Sequence, residues 1–161
     1  MYTSLVELFK HNLWSNLRLL DTCAELTPEQ LAASIEGTYG RIQDTFLHLL
    51  AAEGRYVAQL TGVKPERPLS ERNPFPGLGD LRQQAETSGK ALIEIAHNDP
   101  IDETLTLTYQ GEEHQLRAVV PLMQAIHHAH EHRTHIVTTL SQMGVEPPDL
   151  SVWAYGDEMG Y

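Results

Sequence analysis

The chain has 161 residues, 41% of them apolar and 20% charged, a length that suits one domain with a real core over residues 1–161. Eleven basic residues against twenty-two acidic leave a formal charge of −11 with no Lys/Arg cluster, which argues against binding nucleic acid or an anionic membrane surface. No apolar run approaches the roughly 18–20 residues that span a bilayer, residues 1–10 do not read as a secretory signal, and the single Cys23 allows no intrachain disulfide, so a reducing cytoplasm is the expected setting.

The first predicted helix runs from about Ser4 to Cys23, because Leu5, Leu8, Phe9, Leu13, Leu17 and Leu20 recur at spacings of three and four. Thr27-Pro28-Glu29-Gln30 reads as an N-cap with Pro at N1 and Gln at N3, starting a short helical turn. Gly37 and Gly40 then break the chain. The second long helix spans about Arg41 to Leu60, carries the stripe Ile42, Phe46, Leu49, Leu50, Val57 and Leu60, and stops at Thr61-Gly62. From Val63 to Gly79, four Pro and two Gly predict an ordered surface connection, long enough to cross over a bundle. The third helix is expected over Leu81 to His97, ended by Asn98-Asp99-Pro100.

The alternation Leu105-Thr106-Leu107-Thr108-Tyr109, a turn at Gln110-Gly111 and a return over His114 to Arg117 predict a small hairpin. The fourth helix spans about Val119 to Met143, with Pro121 in its first turn, where Pro is tolerated, and Gly144 as its stop. The tail holds Pro147-Pro148 and Val152-Trp153-Ala154-Tyr155, and is expected to pack back on the helices. Four long amphipathic helices and one hairpin predict an all-α four-helix bundle.

Five of the nine His fall between His127 and His135. At about 100° per residue, His128, His132 and His135 share one stripe, while His127 and His130 point elsewhere. His132 stands nearest the apolar arc of Leu122, Ile126, Ala129, Ile136 and Leu140. Two imidazoles at i and i+4 can reach one metal ion. His48, mid-helix among apolar neighbours, is the other His expected to face a bundle interior. His48, His128 and His132 would form a three-His site with positions left open, the pattern of a catalytic rather than a structural metal. Neutral imidazoles suit Zn, Ni, Fe and Cu alike. Asp44, one turn before His48, is either an orienting carboxylate or a solvated one.

Other metal motifs fail. Only Glu94-x-x-His97 matches the Glu-x-x-His of a di-iron bundle, and Thr134 stands where a zincin begun at His130-Glu131 needs its second His. Glu53 and Arg133 each lie inside an apolar arc, so they are expected to face one another as a buried pair or to satisfy nearby polar groups. Cys23 is expected to be structural. Trp14, Trp153 and Tyr155 read most simply as core and tail packing, with lining of a substrate cleft as the alternative.

The segment Thr38 to Glu53, with His48 at its centre, resembles the second-helix signature of the DinB/YfiT-like superfamily. His128-x-x-x-His132-Arg133-x-x-Ile136 is similar to the fourth-helix motif of that family. Asn12, Trp14 and Asn16 ahead of Leu19-Leu20-Asp21, and the tail from Pro147 to Tyr155, extend the likeness over nearly the whole chain. The resemblance implies a four-helix bundle, a divalent metal on His48, His128 and His132, and a homodimer. Where the family commonly shows His-Arg-Gly-Gln, this chain has His132-Arg133-Thr134-His135, so His135 is a fourth ligand, a base or a surface side chain.

Two reaction classes follow for a metal-dependent enzyme acting on a small molecule. One transfers a low-molecular-weight thiol to an electrophile, which the resemblance favours. The other is a hydrolysis, for which His135 and Glu131 are the candidate catalytic bases. A non-catalytic metal-binding stress-response protein would use the same ligands. In a third reading the histidines are simply polar surface.

Overall fold

The computed structural model describes residues 4–98, 100, 102–109 and 111–161. Helix α1 (Ser4–Ala24) leads to a one-turn helix α2 (Pro28–Leu31). The predicted cap of α2 forms: the Gln30 amide donates to Thr27 Oγ1 at 3.3 Å, and the Thr27 amide donates to Gln30 Oε1 at 2.9 Å. Helix α3 (Ile42–Thr61) stops at Gly62, whose left-handed φ of 73° lets its N–H reach the Ala58 carbonyl. Helix α4 (Leu78–Asn98) begins one turn earlier than the sequence pattern predicts and ends at Asn98; Asp99 of the expected stop lies outside the described residues.

Strands β1 (Thr104–Tyr109) and β2 (Glu112–Arg117) pair antiparallel, from Thr104 opposite Arg117 to Tyr109 opposite Glu112. Of the expected turn between them, Gln110 lies outside the described residues and Gly111 has a φ of 85°. Helix α5 (Val119–Gln142) keeps Pro121 in its first turn. The tail contains a helix that the sequence reading missed, α6 (Val152–Met159), capped by Ser151 Oγ accepting from the Ala154 amide at 3.1 Å.

The four long helices pack in a ring in which α1 meets α4, α4 meets α3, α3 meets α5, and α5 meets α1. Helices α1 and α3 therefore face each other across a diagonal, as do α4 and α5. The 63–77 connection, long enough to cross the bundle, joins neighbours instead. The crossings are made instead by the segments holding α2 and the hairpin. Close approach of α1 and α4 depends on Gly89: a Cβ there would lie 2.7 Å from Leu13 Cδ1.

The apolar core falls into two clusters. Leu19, Leu20, Phe46, Leu49, Leu50, Leu81, Ile136 and Leu140 fill one end. Val6, Phe9, Leu92, Ala96, Leu122 and Ala125 fill the other. Between them lies a buried polar layer to which every long helix contributes: Asn12 and Asn16 from α1, Glu53 from α3, Ser88 from α4 and Arg133 from α5. Glu53 and Arg133 do not touch directly. Arg133 Nη1 donates to Asn12 Oδ1 and to Asn16 Oδ1, each at 2.7 Å. The two carboxamides pass the polarity on, donating through Nδ2 to Glu53 Oε2 at 3.0 and 3.2 Å. Ser88 Oγ closes the other carboxylate oxygen at 2.5 Å. Burial pushes the Glu53 carboxyl up, outweighing the lowering by Ser88, Asn12, Arg133 and Asn16.

Candidate metal centre

The seam between α3 and α5 brings His48, His128 and His132 together. Each offers one ring nitrogen, and these atoms lie within 4.8 Å of one another. His48 Nε2 and His128 Nε2 stand 3.0 Å apart. Two imidazole nitrogens on one tetrahedral ion, at metal distances of about 2.0–2.1 Å, are about 3.3 Å apart. Small side-chain rotations would therefore place all three on one ion, and the group could hold a metal.

The local chemistry fits a metal. His132 is 5% exposed, and its Nδ1 is buried without a hydrogen-bond partner among the described residues. Burial, then the charge of His48 and Arg55, holds His128 down at about 4. Burial, then His128, His48 and His135, does the same to His132, also at about 4. Both rings are thus held neutral at pH 7, the form in which an imidazole can offer a lone pair to a cation.

Two further side chains complete the surroundings, and sequence reasoning assigned neither. Tyr39, just before α3, stacks on His48 with ring centroids 4.3 Å apart and meets His132 edge-on at 4.9 Å. Glu71, from the 63–77 connection, places Oε2 at 2.9 Å from His48 Nδ1, an ion-pair distance although off the line of a well-aligned N–H···O bond. The same carboxylate accepts from Tyr39 Oη at 3.3 Å and from Arg55 Nη1 at 3.4 Å. Burial raises the Glu71 carboxyl, but His48, Arg55 and Tyr39 more than offset this, and the group is held below its ordinary value. Glu71 therefore fills the orienting place for which Asp44 was a candidate. Asp44 turns away, to Arg41 Nε at 2.5 Å. The signal for Tyr39 lay in the segment ahead of the helix; Glu71 sits in a loop where no periodicity could point to it. A cavity of about 390 Å³ adjoins the cluster and shares Tyr39 and Glu71 with it.

The candidate bases fare differently. The His135 ring lies 5.5 Å from that of His132, half-buried, with Nδ1 lacking a hydrogen-bond partner among the described residues. Glu131 is exposed and touches the cluster only through its charge, felt at His132. His127 and His130 are exposed, as the wheel predicts. Cys23 is fully buried and its thiol is pushed up to about 12, in keeping with a structural role. Tyr155 is buried, with Trp14 edge-on to its ring at 5.5 Å. Trp153 departs from expectation: it is 87% exposed, because α6 turns that face outward.

A bundle of four long helices with a three-His group on its α3–α5 seam defines a class of helical proteins with a potential metal centre. The model of the DinB family matches residues 1–158, and the chain belongs to that family. It is similar in fold to the crystal structure of a DinB-like protein from Bacillus cereus ATCC 10987, with a TM-score of 0.67 and 19% identity over 89% of this chain and 93% of that one. No curated protein matches the chain.

Proposed function

We propose that the protein is a divalent-metal-dependent enzyme whose ion is held by His48, His128 and His132. The observation that carries this reading is the convergence of three imidazoles from two neighbouring helices, His132 buried and His48 and His128 half-buried. Zn, Ni or Fe would suit the donor set. The ion would supply Lewis acidity and positive charge for a thiolate or hydroxide nucleophile. Glu71 orients His48, and Tyr39 covers two of the ligands. His135, rather than exposed Glu131, stands where a side chain could take up a proton.

The reaction that fits best is transfer of a low-molecular-weight thiol to a small electrophile, with metal-dependent hydrolysis as the second class. The adjoining cavity supports a small-molecule substrate. Buried Cys23 cannot serve as the nucleophile, so the thiol would come from a cosubstrate. The protein would work as a cytoplasmic homodimer of single-domain chains. In support, no helix among the described residues is long and apolar enough to cross a membrane, and Leu8, Val152, Trp153 and Tyr161 expose apolar surface for a partner.

The test is turnover. Thiol transfer and hydrolysis panels are run on metal-loaded protein, after chelation, and after metal is restored. Activity that follows the metal and is absent in a His48→Ala, His128→Ala, His132→Ala triple variant supports the enzyme. Full metal loading with no turnover in either panel would favour the non-catalytic metal-binding alternative.

A further inference from the structure

On the face of α5 turned away from His132, the Arg133 side chain forms part of a recess of about 270 Å³ between α1, α5 and the tail. His11, His130, Thr134, Asp149 and Ser151 line it as well. Arg133 is only 4% exposed, and it touches no carboxylate among the described residues. Its Nη1 is used by Asn12 and Asn16, as described above. Its Nε–H and its Nη2–H groups have no acceptor among the described residues, yet neither nitrogen is sealed from solvent. These two nitrogens form the side-on edge of the guanidinium, whose parallel N–H groups match the two oxygens of a carboxylate.

A buried cation lacking direct contact with an anion is an unfinished arrangement. Glu53 is reached only through the carboxamides, and its burial works against its ionisation. The other ionisable side chains around the recess do not complete the pair. Asp149 Oδ1 is engaged by the Ser151 amide at 2.8 Å, and His11 Nε2 lies 2.9 Å from the Leu150 carbonyl.

We propose that this recess is a binding site for a small carboxylate, taken side-on by Nε–H and Nη2–H of Arg133. The rim, with His130 and Thr134 exposed, admits a small acid, and the floor offers a preformed fork. The net charge of −11 opposes any anion, so the affinity rests on the fork rather than on long-range attraction. The site is separate from the three-His cluster and does not depend on it.

The experiment titrates propionate and succinate at constant ionic strength, made up with NaCl, with inorganic phosphate as a parallel arm. It reads the melting temperature and the 15N shift of Arg133 Nε, assigned by its loss in Arg133→Lys. The expected result is a saturable rise of about 3–5 °C at tenfold excess over the dissociation constant, with a matching shift of the Arg133 resonance. The response should persist in the triple His variant, which excludes carboxylate binding at the metal site. It should vanish in Thr134→Glu, which places a carboxylate in the recess from an exposed position and spares the buried layer. No response beyond NaCl overturns the proposal. So does an equal response in Thr134→Glu, or a phosphate response as large as the carboxylate one.

Discussion

His132 and Arg133 are neighbours on α5, but a rotation of about 100° sends them into polar clusters of opposite character. His132 joins a half-open group on the α3–α5 seam, where three rings converge and two buried nitrogens, Nδ1 of His48 and of His132, have no hydrogen-bond partner among the described residues. Arg133 joins a buried layer at the centre of the bundle, where two carboxamides link its Nη1 to Glu53. Unsatisfied ring nitrogens in the first cluster make it able to take up an ion. Hydrogen bonds that reach all four long helices make the second fix their register. Polar residues in a bundle thus divide by whether their partners lie across the bundle or are left open at a seam, more than by their chemical type.

The largest expected effect breaks the buried layer. Glu53→Ala strips the acceptor from the carboxamides of Asn12 and Asn16 and from Ser88, and Asn16→Ala removes an acceptor from the buried guanidinium and a donor from the buried carboxyl. Glu53→Ala should cost about 3–5 kcal/mol in urea unfolding, and Asn16→Ala about 1–3 kcal/mol. The layer also has a pH signature. The folded-state pKa of Glu53 is raised, so between its unfolded and folded values the native state holds more protons than the unfolded one. Stability from this group is therefore present at acid pH and is lost as the pH rises through that window. Against Glu53→Gln, the wild type should lose relative stability as the pH climbs from about 4 upward.

At the open cluster the expected change is in metal affinity rather than in folding. Glu71→Gln should weaken metal binding by about 10–100-fold, read by competition with a chromogenic chelator, while the melting temperature of the metal-free protein hardly moves. Asp44→Asn should leave metal affinity unaltered, since Asp44 pairs with Arg41. An effect of Asp44→Asn as large as that of Glu71→Gln would reverse the assignment of the orienting carboxylate.

Helical spacing made one side of this comparison readable in advance. The 3.6-residue period put His128, His132 and His135 on one stripe and His127 and His130 outside it, and the structure keeps that division. It also placed Glu53 and Arg133 inside their apolar arcs. What it could not supply was the partner chemistry between helices that are distant in sequence. Asn12 and Asn16 stand between Glu53 and Arg133, and no period along a single helix reveals a bridge across a diagonal. Glu71 was hidden for another reason: a Pro-rich connection has no repeat, and only its path over α3 brings the carboxylate to His48. The tail helix α6 did carry a local signal in Ser151, but Pro147-Pro148 and the aromatic run obscured it.

The smallest effects lie outside both clusters. Cys23, with its thiol at about 12, should react with a thiol reagent at pH 8 only at the rate of global unfolding, whereas in denaturant it should react at once. Trp153→Ala should change the stability of the single chain by no more than about 0.5 kcal/mol, because within the chain its side chain is exposed.

The central claim, that the open cluster is a metal site, is met most directly by elemental analysis of tag-free protein purified without added metal, beside the His48→Ala, His128→Ala, His132→Ala variant. The expected result is close to one divalent ion per chain in the wild type, after reconstitution if needed, and none in the folded variant. No stoichiometric metal in the reconstituted wild type, or equal metal in the variant, would contradict it.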